Sequence, residues 1–407
     1  MKILVYGINY APELSGIGKY TSEMCEWLAA DKQSVTVITA NPYYPNWSVF
    51  EKFKNRYSKS KLNKVEVYRC PLYVPKRVSG TSRILHEISF SLSSSVVWFH
   101  FLLKPKFDFI ICISPPFHLP MIAIMYRFLK GGKLIYHIQD LQIDAAKEMR
   151  IISSKRLLNW FFKFEFFLLN KMDLITSISK GMIKKIQSKS IESEINLFPN
   201  WVDINLIKPL PKNQSLIEKF RFKEDDFIIL YSGNLGEKQG LDILMEAACH
   251  FVKRDHIKFL ICGNGTYEGT LRRIIKEQSL ANVYLNPLLP YNDLSRLLNT
   301  ADVHLVLQKK VAADLVMPSK LTGIAASGGF SIVSAEPETT LYNTVKRHGL
   351  GILIEPESSK SLIRGIEESL RMSLEPFRKN ARAFAENHLN KDIILRKFLE
   401  KLEKKNE

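Results

Sequence analysis

Two glycine-bearing turns carry the residue types that could hold an anion or a sugar. The run Tyr231-Ser-Gly-Asn-Leu-Gly-Glu-Lys-Gln-Gly-Leu241 couples an apolar stretch, Phe227 to Tyr231, to a tight turn and then to helically spaced Leu241, Leu244, Met245 and Ala248. Gly233 and Gly236 let the backbone turn sharply with its amides exposed. A helix opening there adds free N–H groups and the positive end of its dipole, which suits a phosphate or diphosphate. A plain strand-to-helix turn is the other reading of the same residues. Near the N-terminus, Gly16 and Gly18 form a flexible loop between a first strand and its helix, at the sheet end where open α/β folds bind ligands. Glu13 sits on that loop rather than on a helix face, which favours a functional role.

Two further glycine clusters are decoys. Cys262-Gly-Asn-Gly-Thr-Tyr-Glu-Gly269 follows a strand, but Glu268 stands where a dinucleotide fingerprint needs its third glycine. Ser15-Gly-Ile-Gly-Lys-Tyr20 resembles the end of a P-loop, yet Glu13 stands where a P-loop needs glycine and Tyr20 where it needs Ser or Thr. No His, Asp, Glu or Cys cluster has metal-ligand spacing, so no metal is expected.

The elements that must position these residues alternate between short β-type and helix-type runs, the pattern of parallel α/β units. Strands are expected at Lys2 to Tyr6, Ser34 to Thr39, Val65 to Cys70, Phe109 to Ile113, Lys133 to His137 and Leu174 to Ser177. A second set covers Phe227 to Tyr231, Lys258 to Cys262, Val283 to Leu285, Val303 to Leu307, Ser331 to Ser334 and Gly351 to Ile354. At 407 residues the chain exceeds the usual single core, so two domains are expected, 1–200 and 201–375. Pro209, Pro211 and a polar stretch to Asp226 read as a linker. Residues 376–407 read as a charged helical segment packing back toward the first domain.

The formal net charge of +17 is uneven: residues 1–200 hold 28 Lys+Arg against 15 Asp+Glu, a balance of +13, which leaves +4 for the rest. Such asymmetry points to an anionic partner, nucleic acid or a membrane surface, with solvated surface charge as the bland reading. Residues 88–103 are uncharged but short and serine-rich, so a membrane span is not expected. Residues 155–171, crowded with aromatics between basic residues, fit either a membrane interface or a helix buried on a sheet. Cys25, Cys70, Cys112, Cys249 and Cys262 lack paired spacing and mostly sit in apolar runs, as small buried residues of a reducing compartment would. The N-terminus runs straight into a strand pattern without a signal-peptide shape, so a cytoplasmic location is expected.

Five segments stand in the order seen in retaining family 4 glycosyltransferases: Asn9-Tyr-Ala-Pro-Glu-Leu-Ser-Gly-Ile-Gly-Lys-Tyr20, Pro199-Asn-Trp-Val-Asp203, Ser232-Gly-Asn-Leu-Gly-Glu-Lys-Gln-Gly240, Cys262-Gly-Asn-Gly265 and Met317-Pro-Ser-Lys-Leu-Thr-Gly323. The chain resembles that family over nearly its whole length. It is most similar to the bacterial capsule and colanic-acid type, in which Asn-Tyr-x-Pro-Glu, Tyr-His-Ile-Gln-Asp and Met-Pro-Ser-Lys-Leu also appear. The resemblance implies an α/β GT-B fold, two Rossmann-like doubly wound domains facing across a cleft, with the acceptor on the first and a nucleotide-sugar donor on the second. It implies that Gly233, Asn234, Leu235, Gly236, Lys238 and Gln239 hold the donor diphosphate beside Gly263. Asp314, Pro318, Ser319, Lys320 and Leu321 would border the donor site, and Gly16, Ile17 and Gly18 would meet acceptor and donor sugar. Neither a cofactor nor a metal is implied.

His118 and His137 follow expected strand ends and, with Glu13 and Asp140, are the catalytic candidates. A structural histidine is the alternative for each of the two, and a cap or surface carboxylate for Asp140 and Asp144. The chain departs from its family at the phosphate turn, with Asn234 and Gln239 where Arg and Lys are common and Lys238 displaced by one residue. Gly323 replaces the acid that usually binds the ribose, with Asp314 the nearest carboxylate. The activity implied is transfer of a sugar, with retention, from a nucleotide-diphosphate sugar to a lipid-linked saccharide in capsule, exopolysaccharide or O-antigen synthesis. It would take place peripherally at the anionic inner face of the membrane, with no nucleic-acid partner. Two rivals remain open: a catalytically weak subunit assisting a partner transferase, and a nicotinamide enzyme, the latter disfavoured by Thr21 and Glu268 where fingerprint glycines are needed.

Overall fold

Runs of aliphatic and β-branched residues only four to eight long become buried parallel strands, because a strand covered on both faces needs no polar alternation. The computed structural model describes residues 1–13, 16–148, 152, 154–236, 239–310 and 320–406. It divides into two compact units, Met1–Pro199 with Leu395–Glu407, and Asn200–Ile394.

The first unit holds β1 (Lys2–Tyr6), β2 (Ser34–Ala40), β3 (Ser58–Leu62), β4 (Val65–Cys70), β5 (Phe109–Ser114), β6 (Lys133–Ile138), β7 (Leu174–Ser177) and β8 (Ile195–Leu197). Their order is β3-β4-β2-β1-β5-β6-β7-β8, and only the β3–β4 pair is antiparallel. Two of these strands were not expected. Ser58–Leu62 is a solvated hairpin edge of sequence Ser-Lys-Ser-Lys-Leu, and Ile195–Leu197 is three residues long, so neither forms an apolar run.

The second unit holds β9 (Phe227–Asn234), β10 (Ile257–Asn264), β11 (Val283–Asn286), β12 (Val303–Val306), β13 (Ser331–Ser334) and β14 (Gly351–Ile354), all parallel in the order β11-β10-β9-β12-β13-β14. The interval read as a linker is instead part of this unit's cover: Ile207, Leu216, Ile217 and Phe222 are buried against Ile228, Leu230 and Leu297. Apolar residues at irregular spacing pack without forming a regular element. Of the cysteines, Cys249 is exposed and the other four are buried, all with free thiols.

The C-terminal segment is shared. Helix Glu375–Phe384 and the π-helical turn Ala385–Leu389 belong to the second unit, whereas helix Lys391–Asn406 passes to the first at Leu395. Leu395, Phe398, Leu399 and Leu402 fall on one face and are buried. Phe398 stacks on Phe198 at 4.2 Å, Arg396 pairs with Asp31 at 2.9 Å, and Lys401 and Lys405 bracket Glu194 at 2.5 and 2.8 Å.

Candidate active site

Sheet order fixes where ligands can sit in each unit. The chain leaves β1 toward β2 and leaves β5 toward β6, so the loops after β1 and β5 diverge and open a crevice at the carboxyl ends of adjacent strands. The same reversal occurs between β9 and β12 in the second unit. Glu13 and His118 occupy the two diverging loops of the first unit; the glycine turn and the helix opening at Lys320 occupy those of the second.

Glu13 is 2 % exposed and its carboxylate is enclosed. Oε1 accepts from the backbone amides of Tyr43 and Tyr44 at 2.8 and 2.9 Å, and Oε2 from Asn9 Nδ2 at 2.8 Å. Burial raises its pKa, opposed by those three hydrogen bonds and by the positive charge of Arg69. Arg69 is itself buried and donates to the carbonyls of Ala11 and Ala40. A Cβ on Gly18 would come within 3.1 Å of Glu13 Cβ, so any larger residue there would make Glu13 shift by a few tenths of an ångström. The structure thus makes Glu13 the post that ties the 9–18 loop to residues 43–44. Ile17 is half-buried, and Gly16, at φ +58°, is exposed with open space around it.

His118 Nε2 lies 2.9 Å from Ser91 Oγ, and burial pushes the ring down to about 4, so it is neutral near pH 7. Next to it, Gln142 accepts from the amide of Phe117 at 2.7 Å and donates to Glu87 at 3.2 Å. Burial raises the Glu87 pKa, opposed by the Gln142 hydrogen bond and Arg83, and the negative charge of Asp140 adds to the rise. The loop histidine and Asp140 therefore meet around Glu87, a residue the sequence reading passed over although it is the sole acid between Lys76 and Lys106.

Tyr43 joins this cluster to Glu13, since its phenol responds to both Glu13 and Glu87. Its ring meets His86 edge-on at 4.4 Å, with Trp47 against the same imidazole at 5.2 Å. His86 Nδ1 donates to the Tyr73 carbonyl at 2.5 Å, and burial lowers the ring's pKa. Nε2 of the neutral ring is then an acceptor, buried and without a hydrogen-bond partner among the described residues. Nothing in the spacing of His86 singled it out.

His137 does not join them. The expected strand ended at this residue, but β6 runs one further, so His137 sits inside the sheet between Ile113 and Thr176. Nδ1 meets Thr176 Oγ1 at 2.9 Å, the ring abuts Phe198 at 5.0 Å, and burial lowers it to about 3. It is a neutral core histidine. Asp144 is held by Lys189 at 2.7 Å, which also pairs with buried Glu165.

In the second unit, β9 and β10 run in register through Gly233↔Gly263 to Asn234↔Asn264. A Cβ on Gly263 would lie 2.2 Å from the Gly233 carbonyl oxygen, and one on Gly265 equally near the Leu235 carbonyl, so the two turns nest only as glycines. Leu235 N donates to Asn264 O and Tyr267 N to Leu235 O, both at 2.9 Å, and Tyr231 Oη donates to Asn234 O at 2.8 Å. The Leu235 and Leu321 side chains are core, not ligand-facing; only their backbones flank the turn. Asn234 Nδ2 and Gln239 Oε1 lie 3.0 and 3.1 Å from where a Gly236 Cβ would stand. The Gln239 oxygen is buried without a hydrogen-bond partner among the described residues. Helix Asp242–His250 opens just beyond, with no side-chain cap on its first amides. Lys238, Asp314, Pro318 and Ser319 lie outside the described residues.

Lys320 is the group that this turn gathers around. The residue is partly open, but Nζ is buried, 3.9 Å from the centre of the Tyr231 ring and 3.6 Å from a Cβ built on Gly233. It has no hydrogen-bond partner among the described residues, and burial pushes its pKa down to about 7. An ammonium out of water is costly, by several kcal/mol, unless an anion meets it; one aromatic face offsets about 2 kcal/mol of that. Among the described residues no three His, Cys, Asp or Glu side chains are grouped to hold a metal ion.

Comparisons with known proteins cover both units. Residues 15–201 match the Glycosyl transferase 4-like domain and residues 212–388 match Glycosyl transferases group 1. A glycosyl transferase of Escherichia coli (strain K12), whose name places it, provisionally, in colanic acid biosynthesis, is 39 % identical over 98 % of this chain and 99 % of its own. Among solved structures, the sucrose-phosphate synthase of Thermosynechococcus elongatus aligns with a TM-score of 0.76 at 15 % identity, over 99 % of this chain and 98 % of that one. An Anabaena protein solved with UDP and glucose aligns with a TM-score of 0.72 at 15 % identity, over 99 % and 100 %. Such likeness establishes the fold class, two Rossmann-like doubly wound α/β domains of the GT-B kind.

Proposed function

Because the chain belongs to the glycosyltransferases of the group 1 and 4-like kind, we propose that it moves a sugar, with retention, from a nucleotide-diphosphate sugar to a hydroxyl of a lipid-linked saccharide. The pathway would be capsule, exopolysaccharide or O-antigen assembly, at the inner face of the membrane. The observation that carries this reading is the buried Lys320 Nζ at the Gly233 turn, which has no hydrogen-bond partner among the described residues. As the glycosidic bond breaks, negative charge grows on the departing diphosphate. The Lys320 amine, protonated once a diphosphate lies beside it, and the turn amides are already in place to stabilise that charge.

In this reading the second unit binds the donor and the first the acceptor. Lys320 takes the place of the family's Arg and Lys that Asn234 and Gln239 do not supply. Neutral His118, held by Ser91, and the orphaned acceptor at His86 Nε2 orient the incoming hydroxyl, while Glu87 and Asp140 supply acceptors beside them. No single nucleophile is required. The absence of an acid at position 323, where a Cβ would already press Leu298 at 3.3 Å, leaves ribose recognition to other groups.

Purified protein should show melting shifts with one class among UDP, GDP and dTDP sugars, since a bound donor stabilises the fold by mass action. Lys320→Ala should abolish that shift and lower transfer by about 10²- to 10³-fold. A protein that binds donor but turns over none with any acceptor would favour the assisting-subunit reading.

A further inference from the structure

The first unit carries an apolar surface that its core does not use. Helices Gly80–Leu102, Pro120–Lys130 and Lys155–Leu169 connect β4 to β5, β5 to β6 and β6 to β7, each time stepping across the sheet in the same sense. Right-handed crossovers therefore lay all three on one face of the sheet. Their inner sides hold the core through Phe90, Trp98, Phe101, Ala123, Tyr126 and Leu168.

Their outer sides are apolar as well. On the first helix and its cap, Leu85, Ile88, Leu92, Val96, Phe99 and Leu103 recur every three or four residues, with Leu92, Phe99 and Leu103 exposed at 69, 68 and 86 %. The second helix, packed on the first through Trp98 and Tyr126 at 5.3 Å, exposes Met125, Leu129 and, at 90 %, Phe128. The third, joined to the head of the second by Phe117 against Phe161 and Phe164, exposes Trp160 and Phe167. A monomer in water does not keep a face of this kind without a use for it.

Charge decides what covers it. Basic residues bracket the apolar stripe of the first helix at both ends, Lys76, Arg77 and Arg83 before it and Lys104 and Lys106 after it. The single acid within that span, Glu87, is turned inward on Gln142. The second helix ends in Arg127 and Lys130. A second copy packed on this face in either direction would set basic end against basic end. An anionic bilayer meets the same pattern with headgroups at the flanks and acyl chains at the centre. No described helix is long and apolar enough to cross a membrane, so the three helices would lie in the interface.

We propose that this three-helix face docks on anionic bilayers by inserting its apolar side chains, with the basic flanks adding attraction to the headgroups. The proposal rests on the membrane-side transfer reading, and it gives that reading a geometry. The helix that lies on the lipid also carries Glu87 and Ser91 inward to His118, so a lipid-linked saccharide reaches the acceptor cluster from the bilayer surface.

The test is flotation of the full-length protein with vesicles of phosphatidylcholine alone and of equal parts phosphatidylcholine and phosphatidylglycerol, at low and high salt. The wild type should bind both, more tightly to the anionic vesicles, with salt removing only the anionic increment. A variant carrying Leu92→Ser, Phe99→Ser and Phe128→Ser changes exposed side chains only. It should melt like the wild type, keep its donor-induced shift and lose vesicle binding by about 100-fold or more. A Lys76→Ala, Arg77→Ala and Lys104→Ala variant should lose only the anionic increment. Unchanged binding by the serine variant would overturn the proposal, as would a lipid-free dimer that the serine substitutions dissociate. A wild type that binds vesicles yet shows no melting shift with any nucleotide sugar supports the docking face and counts against the transfer reading.

Discussion

The two crevices differ in which of their groups lack a partner. In the first unit the charged members are satisfied from within: Glu13 by three donors, Arg69 by two carbonyls, Glu87 by Gln142. Beside Tyr43 and Trp47, a neutral acceptor, His86 Nε2, has no hydrogen-bond partner among the described residues. In the second unit the groups without a hydrogen-bond partner among the described residues include a basic nitrogen, Lys320 Nζ, together with the Gln239 oxygen at the same turn. A buried lone pair suits a hydroxyl and a buried amine an anion, which is what the proposed acceptor and donor diphosphate would each bring. Residues in a closed network read as scaffold even when their chemistry looks catalytic, and Glu13 is such a residue.

The comparison breaks most visibly at Lys320. Lys320→Met should bind donor too weakly to shift the melting curve, yet melt at or above the wild type, because the substitution replaces a buried amine that has no hydrogen-bond partner among the described residues with an apolar side chain of similar length. A large loss of stability would mean that Lys320 is scaffold. The converse holds for Glu13→Ala, which strands the amides of Tyr43 and Tyr44. It should cost about 3 kcal/mol in urea unfolding, and a fully stable but inactive variant would return Glu13 to a catalytic role. His86→Phe keeps the ring against Tyr43 and Trp47 but removes the orphaned acceptor. A rise of about 10-fold in acceptor KM is expected, with the donor-induced melting shift unchanged. An effect on donor binding instead would erase the division of labour between the units.

Much of this was legible in the sequence, and the exceptions have physical reasons. The fully buried strands showed as apolar runs; Ser58–Leu62 did not, because a solvated edge strand has no reason to be apolar. The glycine turns were legible because close approach leaves no substitute, as Gly263 against the Gly233 carbonyl shows. Lys320 was reached only through a motif, and its place beside Tyr231 depends on β9 and β12 being neighbours, a contact between residues far apart in the chain. His137 was misplaced by one residue of strand length, and the partners that make it structural, Thr176 and Phe198, come from other elements. Glu87 left a usable signal, a lone acid in a long uncharged stretch, whereas His86 left none.

Calorimetric titration of the protein with UDP-, GDP- and dTDP-sugars at pH 8, in buffers of different ionisation heat, tests the central claim most directly. With its pKa held down to about 7 by burial, Lys320 is mostly neutral in the free protein at that pH. A diphosphate beside it restores the charge, so binding should take up roughly one proton per site and should tighten as pH falls toward 7. Lys320→Met should bind with no proton uptake and much lower affinity. Equal affinity and equal proton balance in the two proteins would contradict the assignment of Lys320 to the donor diphosphate.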